Sequence, residues 1–189
     1  MRLPSKEQEK GAALVEVGLV LPFLILLAIG LSEIGFLVLD FMAVSSSARE
    51  GARIGASAAD YDSGTEDADD LILRGVEQAA CSMPYGSLRE VWVYEANASG
   101  GVANASSTLN RYVPGSGGLN CSSSGPTGLV CSNGCPWAPS SRSTQLGSLQ
   151  NLGVRVDFRH NGITGLFPMP TVDWSERAIM RIQPNTKDF

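Results

Sequence analysis

The sequence predicts an α+β chain: a long N-terminal helix that enters a membrane and continues as a stalk, then a small extracytoplasmic head with a short antiparallel sheet. Three observations carry this reading. Residues 17–31 read VGLVLPFLILLAIGL, 15 residues without a charge, and IGFLVL extends the run to Leu39 after the single acid Glu33 and its neighbours. Residues 89–95, 152–160 and 172–182 alternate apolar with polar side chains, the period of a half-buried strand. Between the first two of these lies a segment of more than 50 residues, 96–151, rich in Gly, Ser, Asn, Thr and Pro, which holds three of the four cysteines.

The elements follow in chain order. Residues 1–11 are polar and carry Arg2, Lys6 and Lys10. Residues 12–39, as a helix, reach roughly 42 Å, more than the ~30 Å of a bilayer core, so one span at about residues 14–39 is expected, with a stalk running on to residue 58. The basic residues ahead of the span place the N-terminus in the cytoplasm and residues 59–189 outside. Arg49 and Arg53 pull the charge balance the other way, but Cys81, Cys121, Cys131 and Cys135 all fall on the outer side, where disulfides persist. A cleaved secretory signal fits poorly: the small-residue triplet Ala56-Ser57-Ala58 lies some 25 residues past Leu31, and the carboxylate Glu16 stands at the head of the apolar core.

Glu16 is the costly residue. A charge within a membrane helix is penalised by about 2.5–3.5 kcal/mol and usually faces a partner. Pro22 removes one backbone donor and crowds the carbonyl of Gly18, which predicts a bend. Glu33 and Asp40 are seven apart and share a helical face. The 16 residues between Glu16 and Glu33 span roughly 24 Å, which reads Glu33 as an interfacial acid snorkelling to the headgroups. Beyond the span the composition turns small. Ala48, Ala52 and Ala56, with Gly51 and Gly55, repeat every four residues, a seam that lets another helix or the head approach closely.

The remaining ~130 residues suit one small domain. Thr65 is the expected N-cap of a helix over residues 66–80, with Glu66, Asp67, Asp69 and Asp70 at its positive end and Leu71, Ile72, Val76 and Ala79 as its apolar stripe. In residues 152–160, Val154, Val156 and Phe158 face one way and Arg155, Asp157 and Arg159 the other. In residues 172–182, Val172, Trp174, Ala178, Met180 and Ile182 share a face that Glu176 interrupts. The cysteines read as staples, because a loop this poor in apolar residues cannot hold its shape by burial; four cysteines allow three pairings. A zinc site of cysteines with His160 is disfavoured by the oxidising exterior and by the lack of a repeated Cys-x-x-Cys. Asn97, Asn104 and Asn120 each open an Asn-x-Ser glycosylation pattern.

One histidine, with no GxSxG elbow, phosphate loop or HExxH helix, leaves the common hydrolytic and nucleotide chemistries without their parts, so no enzyme, cofactor or small-molecule substrate is expected. A net charge of −5 gives no reason to expect nucleic acid.

Lys10-Gly11-Ala12-Ala13-Leu14-Val15-Glu16 resembles the processing site of type IV prepilins. The longer stretch KGAALVEVGLVLPFLILLAIGLSEIGFLVLDFMAVSSSAREGARIGA resembles the N-terminal segment of the TadE-like family, minor pilins or pseudopilins of the tight-adherence (Tad/Flp) pilus. Residues 175–182, SERAIMRI, are similar to the last strand of such proteins; Leu37 departs from the basic residue expected near there. The resemblance implies a prepilin peptidase cut after Gly11, which makes Ala12 the new N-terminus and Glu16 the fifth residue of the mature chain. Glu16 would then pair with the Ala12 ammonium of a neighbouring subunit, which is mostly charged at neutral pH with a pKa near 8. It further implies other pilin or pseudopilin subunits and the Tad assembly platform as partners, and a pilus that leaves the cell and adheres to surfaces. The alternative is a single-pass anchored binding module that joins no filament.

Overall fold

The computed structural model describes residues 6–122, 125–163 and 171–184. Two helices, α1 (Lys6–Ser57) and α2 (Ala68–Ala80), precede five strands: β1 (Gly86–Glu95), β2 (Leu109–Pro114), β3 (Leu129–Cys131), β4 (Asn151–His160) and β5 (Val172–Arg181). The strands form one antiparallel sheet in the order β3-β2-β1-β4-β5. This is the expected α+β architecture with two strands more than expected.

α1 continues without interruption through Pro22. Its C-terminal part and α2 cover one face of the sheet. Val44, Ala48, Ala52, Ile72 and Val76 pack there on Val91, Val93, Val154, Val156 and Phe158, and all ten are essentially sealed from water. The strand alternation read in β4 is the alternation found, since Val154, Val156 and Phe158 are buried while Arg155, Asp157 and Arg159 are not. On the opposite face the Trp92 ring lies between two guanidiniums, Arg155 at 4.3 Å and Arg111 at 4.9 Å from its centroid.

The N-cap of α2 is Asp67, not Thr65. The Asp67 carboxylate accepts the Asp70 N–H at 3.0 Å and the Asp70 carboxylate accepts the Asp67 N–H at 3.1 Å, a reciprocal box that satisfies two terminal donors at once. Thr65 sits in the preceding turn, where the Ser63 hydroxyl takes the Glu66 N–H and the Asp62 carboxylate takes the Gly64 N–H.

Residues 96–151 do not form one loop. They contain β2, β3 and a 3-10 turn at Pro139–Ser141. What shapes this region besides sulfur is a buried polar cluster on α2. Asp69 accepts from Arg142 at 2.5 Å, from the Tyr112 hydroxyl at 2.6 Å and from the Asn110 amide at 2.7 Å. The Arg142 guanidinium also lies 4.5 Å from the Trp137 ring centroid. Burial, then the adjacent Asp69 charge, pushes the Tyr112 hydroxyl far above the usual tyrosine range, so it stays a donor. Asp69 thus ties α2 to β2 and to the segment ahead of β4, with its charge matched inside the core.

The cysteines pair as Cys81–Cys121 and Cys131–Cys135. The first joins the C-cap of α2 to the stretch between β2 and β3; the second closes a five-residue turn at the end of β3, where Gly134 and Cys135 both take positive φ. With all four sulfurs in disulfides, none is a thiolate ligand, and His160 has a different partner, described below.

The helix α1 and its seat in the head

α1 divides by what surrounds it. Along its N-terminal half the large apolar side chains are exposed, among them Leu14 at 73 %, Leu19 at 75 % and Phe23 at 63 %. The mean hydropathy of its most apolar window is 2.6, and none of that window is buried by the rest of the chain. By length and composition this half is apolar enough to cross a membrane. Glu16 is exposed on it, five residues after Gly11; of Ala12 only the helical backbone is described. Added side chains at Gly11, Gly18 or Gly35 would meet nothing within 4 Å.

The C-terminal half is seated. Ala48, Ala52 and Ala56 are buried, and Gly51 and Gly55 touch the head so closely that no Cβ would fit without displacement. A Cβ on Gly51 would lie 2.8 Å from a Val76 methyl, and one on Gly55 2.7 Å from Ile72 and 2.8 Å from Leu152. The small-residue seam therefore packs on this chain's own α2 and β4. At its upper end the Gln183 N–H donates to the Ala56 carbonyl at 2.8 Å.

The two halves meet at a pair of buried acids. Glu33 is 3 % exposed and its carboxylate accepts the Ile163 N–H at 3.2 Å, so it does not snorkel to an interface as the sequence suggested. One turn pair further on, Asp40 is fully buried with Oδ2 2.7 Å from His160 Nδ1. His160 ends β4, beside Gly86 of β1 and Val172 of β5, so this contact gathers three strand ends onto α1. Gly86 permits the approach: a Cβ there would lie 3.0 Å from the Asp40 carboxylate. Rings close the joint, with Phe36 on Tyr85 at 4.8 Å and Phe41 on Trp174 at 5.7 Å.

The sequence set Glu33 and Asp40 on one face through their spacing of seven. Their partners lie 130 and 120 residues away, beyond the reach of any local pattern. The signal that could have pointed to them was chemical: one histidine, at the end of an otherwise apolar strand face, needs a buried acceptor.

A bare apolar half with one acid near its start thus runs into a seated half of small residues. Residues 11–53 match the TadE-like protein family. The TadE-like segment begins at Gly11, includes Glu16, the Pro22 core, Glu33 and Asp40, and stops within the small-residue seam. No curated protein and no solved structure matches the chain. The TadE-like match thus lies within α1 and does not reach the sheet-bearing head.

Proposed function

We propose that this chain is a structural, pilin-like subunit of a Tad pilus, anchored by α1 with its N-terminus in the cytoplasm and its head outside. Residues 1–11 serve as a leader that a prepilin peptidase removes after Gly11, residues 12–58 as span and stalk, and residues 59–189 as the head. The bare half of α1 then joins other pilin or pseudopilin subunits at the membrane assembly platform. The observation that carries this is the division of α1 itself: its large apolar side chains from Leu14 to Leu27, and Leu31, stay exposed while one face of the same helix is seated from Val44 onward. Such a surface needs lipid in the membrane and other apolar helices outside it.

Glu16 supplies the register in this reading. Cleavage after Gly11 creates an ammonium on Ala12, four residues from Glu16, and the pair forms between neighbouring subunits. A charge moving from lipid into a helix bundle keeps its cost low only with such a partner. N-terminal sequencing of assembled material tests the proposal: Ala12 as first residue is expected, and an intact Met1 overturns it. Glu16→Ala should leave membrane insertion intact and lose incorporation into pili; normal incorporation of that variant removes the pairing.

A further inference from the structure

The lower end of the head carries a collar of rings around α1 that the anchoring of the chain does not by itself require. Tyr85, Ile163 and Trp174 come from three separate chain segments, and each stays exposed, at 39 %, 39 % and 36 %. Tyr85 packs on Phe36 and Trp174 on Phe41, so the collar follows α1 over about 7.5 Å of helix rise. Ile163 reaches lower, bordering a shallow groove with Ile29 and Phe36. Beside Trp174, Arg159 forms a two-bond pair with Asp173 at 2.6 and 2.7 Å, and Arg89 lines the same cleft of about 500 Å³.

The level of this collar follows from the helix. With Glu16 at the inner boundary of the hydrocarbon, twenty helical residues cover about 30 Å and bring the outer boundary to Phe36. Tyr85 then lies at that boundary, Ile163, bonded to Glu33, lies about 4.5 Å inside it, and Trp174 with Arg159 and Arg89 lies in the headgroup layer above it. That layer favours rings with an apolar body and a polar tip, and guanidiniums that reach phosphate. Trp174 also packs on the buried Phe158 at 5.8 Å, yet more than a third of it stays exposed, as with Tyr85 and Ile163. The burial of Glu33 fits the same level, because a head that descends into the interface must shield an acid that would otherwise face lipid.

We infer that the membrane-proximal end of the head is a phospholipid-binding surface: Tyr85, Ile163 and Trp174 insert at the outer interface while Arg89 faces lipid phosphates and Arg159 stays paired with Asp173. The head is therefore held against the bilayer at one height and orientation before the subunit is drawn out. This rests on the reading of α1 as a membrane span.

The test uses the full chain reconstituted into phosphatidylcholine–phosphatidylglycerol vesicles, with acyl chains brominated near the headgroup, and reads tryptophan fluorescence. Trp137 is buried in the head core and Trp92 lies between arginines on the sheet, so Trp174 is the reporter. The expected result is bromolipid quenching of the wild-type chain that is lost in Trp174→Phe. A further Phe23→Trp change in the Trp174→Phe chain places a reporter in the span. If that reporter is quenched while wild type and Trp174→Phe are indistinguishable, the span stands and the lipid-binding surface is overturned. If neither reporter is quenched, the span reading fails and this inference falls with it.

Discussion

The two halves of α1 are one helix in backbone and two different materials in side chain. Below Glu33 the helix presents Leu, Ile, Val and Phe outward, and Gly11 and Gly18 meet nothing; above Asp40 it presents Ala and Gly inward, and Gly51 and Gly55 are in hard contact. Bulky residues make a helix that any apolar surroundings can accept. Small residues make one that fits a single partner at close range, because the backbone itself reaches the neighbour. The acids follow the same division. Glu16 is exposed, whereas Glu33 and Asp40 are buried with partners from the head.

The comparison breaks most readily at Gly55. Gly55→Val must displace Ile72 and Leu152, and it should destabilise the head by about 2–3 kcal/mol, seen as a lower midpoint of thermal unfolding in detergent. Gly18→Val, the matched change in the bare half, should leave the head midpoint unmoved. Equal effects from the two would mean that the seam is not what seats the helix.

Asp40→Ala should come next, costing about 1–3 kcal/mol because it strands His160 in the core, while Glu16→Ala leaves the same midpoint unchanged. Glu33→Gln sharpens the contrast further. It keeps an acceptor for the Ile163 N–H and should cost about 1 kcal/mol or less, the net worth of a typical hydrogen bond.

The smallest effect lies on the sheet face away from the helix, where Glu90 and Asp157 stand opposite each other on β1 and β4. Burial pushes the Asp157 carboxyl up, against the pull of its Arg155 hydrogen bond, and the neighbouring Glu90 adds to the rise. Burial acts the same way on Glu90, but its bond to Arg111 and that residue's charge outweigh it and hold the carboxyl below the usual range. A carboxyl raised in the folded state contributes stability that is complete below its unfolded pKa and fades as pH rises through the folded one. Asp157→Asn should therefore remove a downward component of stability that sets in above about pH 4, the unfolded carboxyl's range, read from melting midpoints against pH. An unchanged slope would show that burial of Asp157 does not carry this pH dependence.

Much of this architecture was legible because it is written in periods. The apolar run, the four-residue spacing of Ala48, Ala52 and Ala56, and the alternation of Val154, Val156 and Phe158 each specify a face without reference to anything distant. β2 and β3 were not legible: LNRYVP and LVC are short, and each sits among turn-forming residues, so their strand character comes from pairing with β1 and from Asp69 holding Asn110 and Tyr112. The cap at Asp67 was hidden among five acids within nine residues, several of which could have served. Glu33 misled for a plainer reason. Its position along the span was right for an interfacial acid, and only the head's descent to Ile163 changes its surroundings.

The chain also enters and leaves its seat in a particular direction. α1 climbs past the sheet from Asp40 to Ala56 while β4 descends from Leu152 to His160, so helix and strand run opposite ways along their shared length. A pull on α1 from the membrane side thus arrives at the far end of the head, through Ser57, and drags the seam lengthwise across β4. Load applied in that direction must shear the meshed alanines and glycines, the Asp40–His160 contact and the Gln183–Ala56 bond together, where a sideways pull would open them one after another.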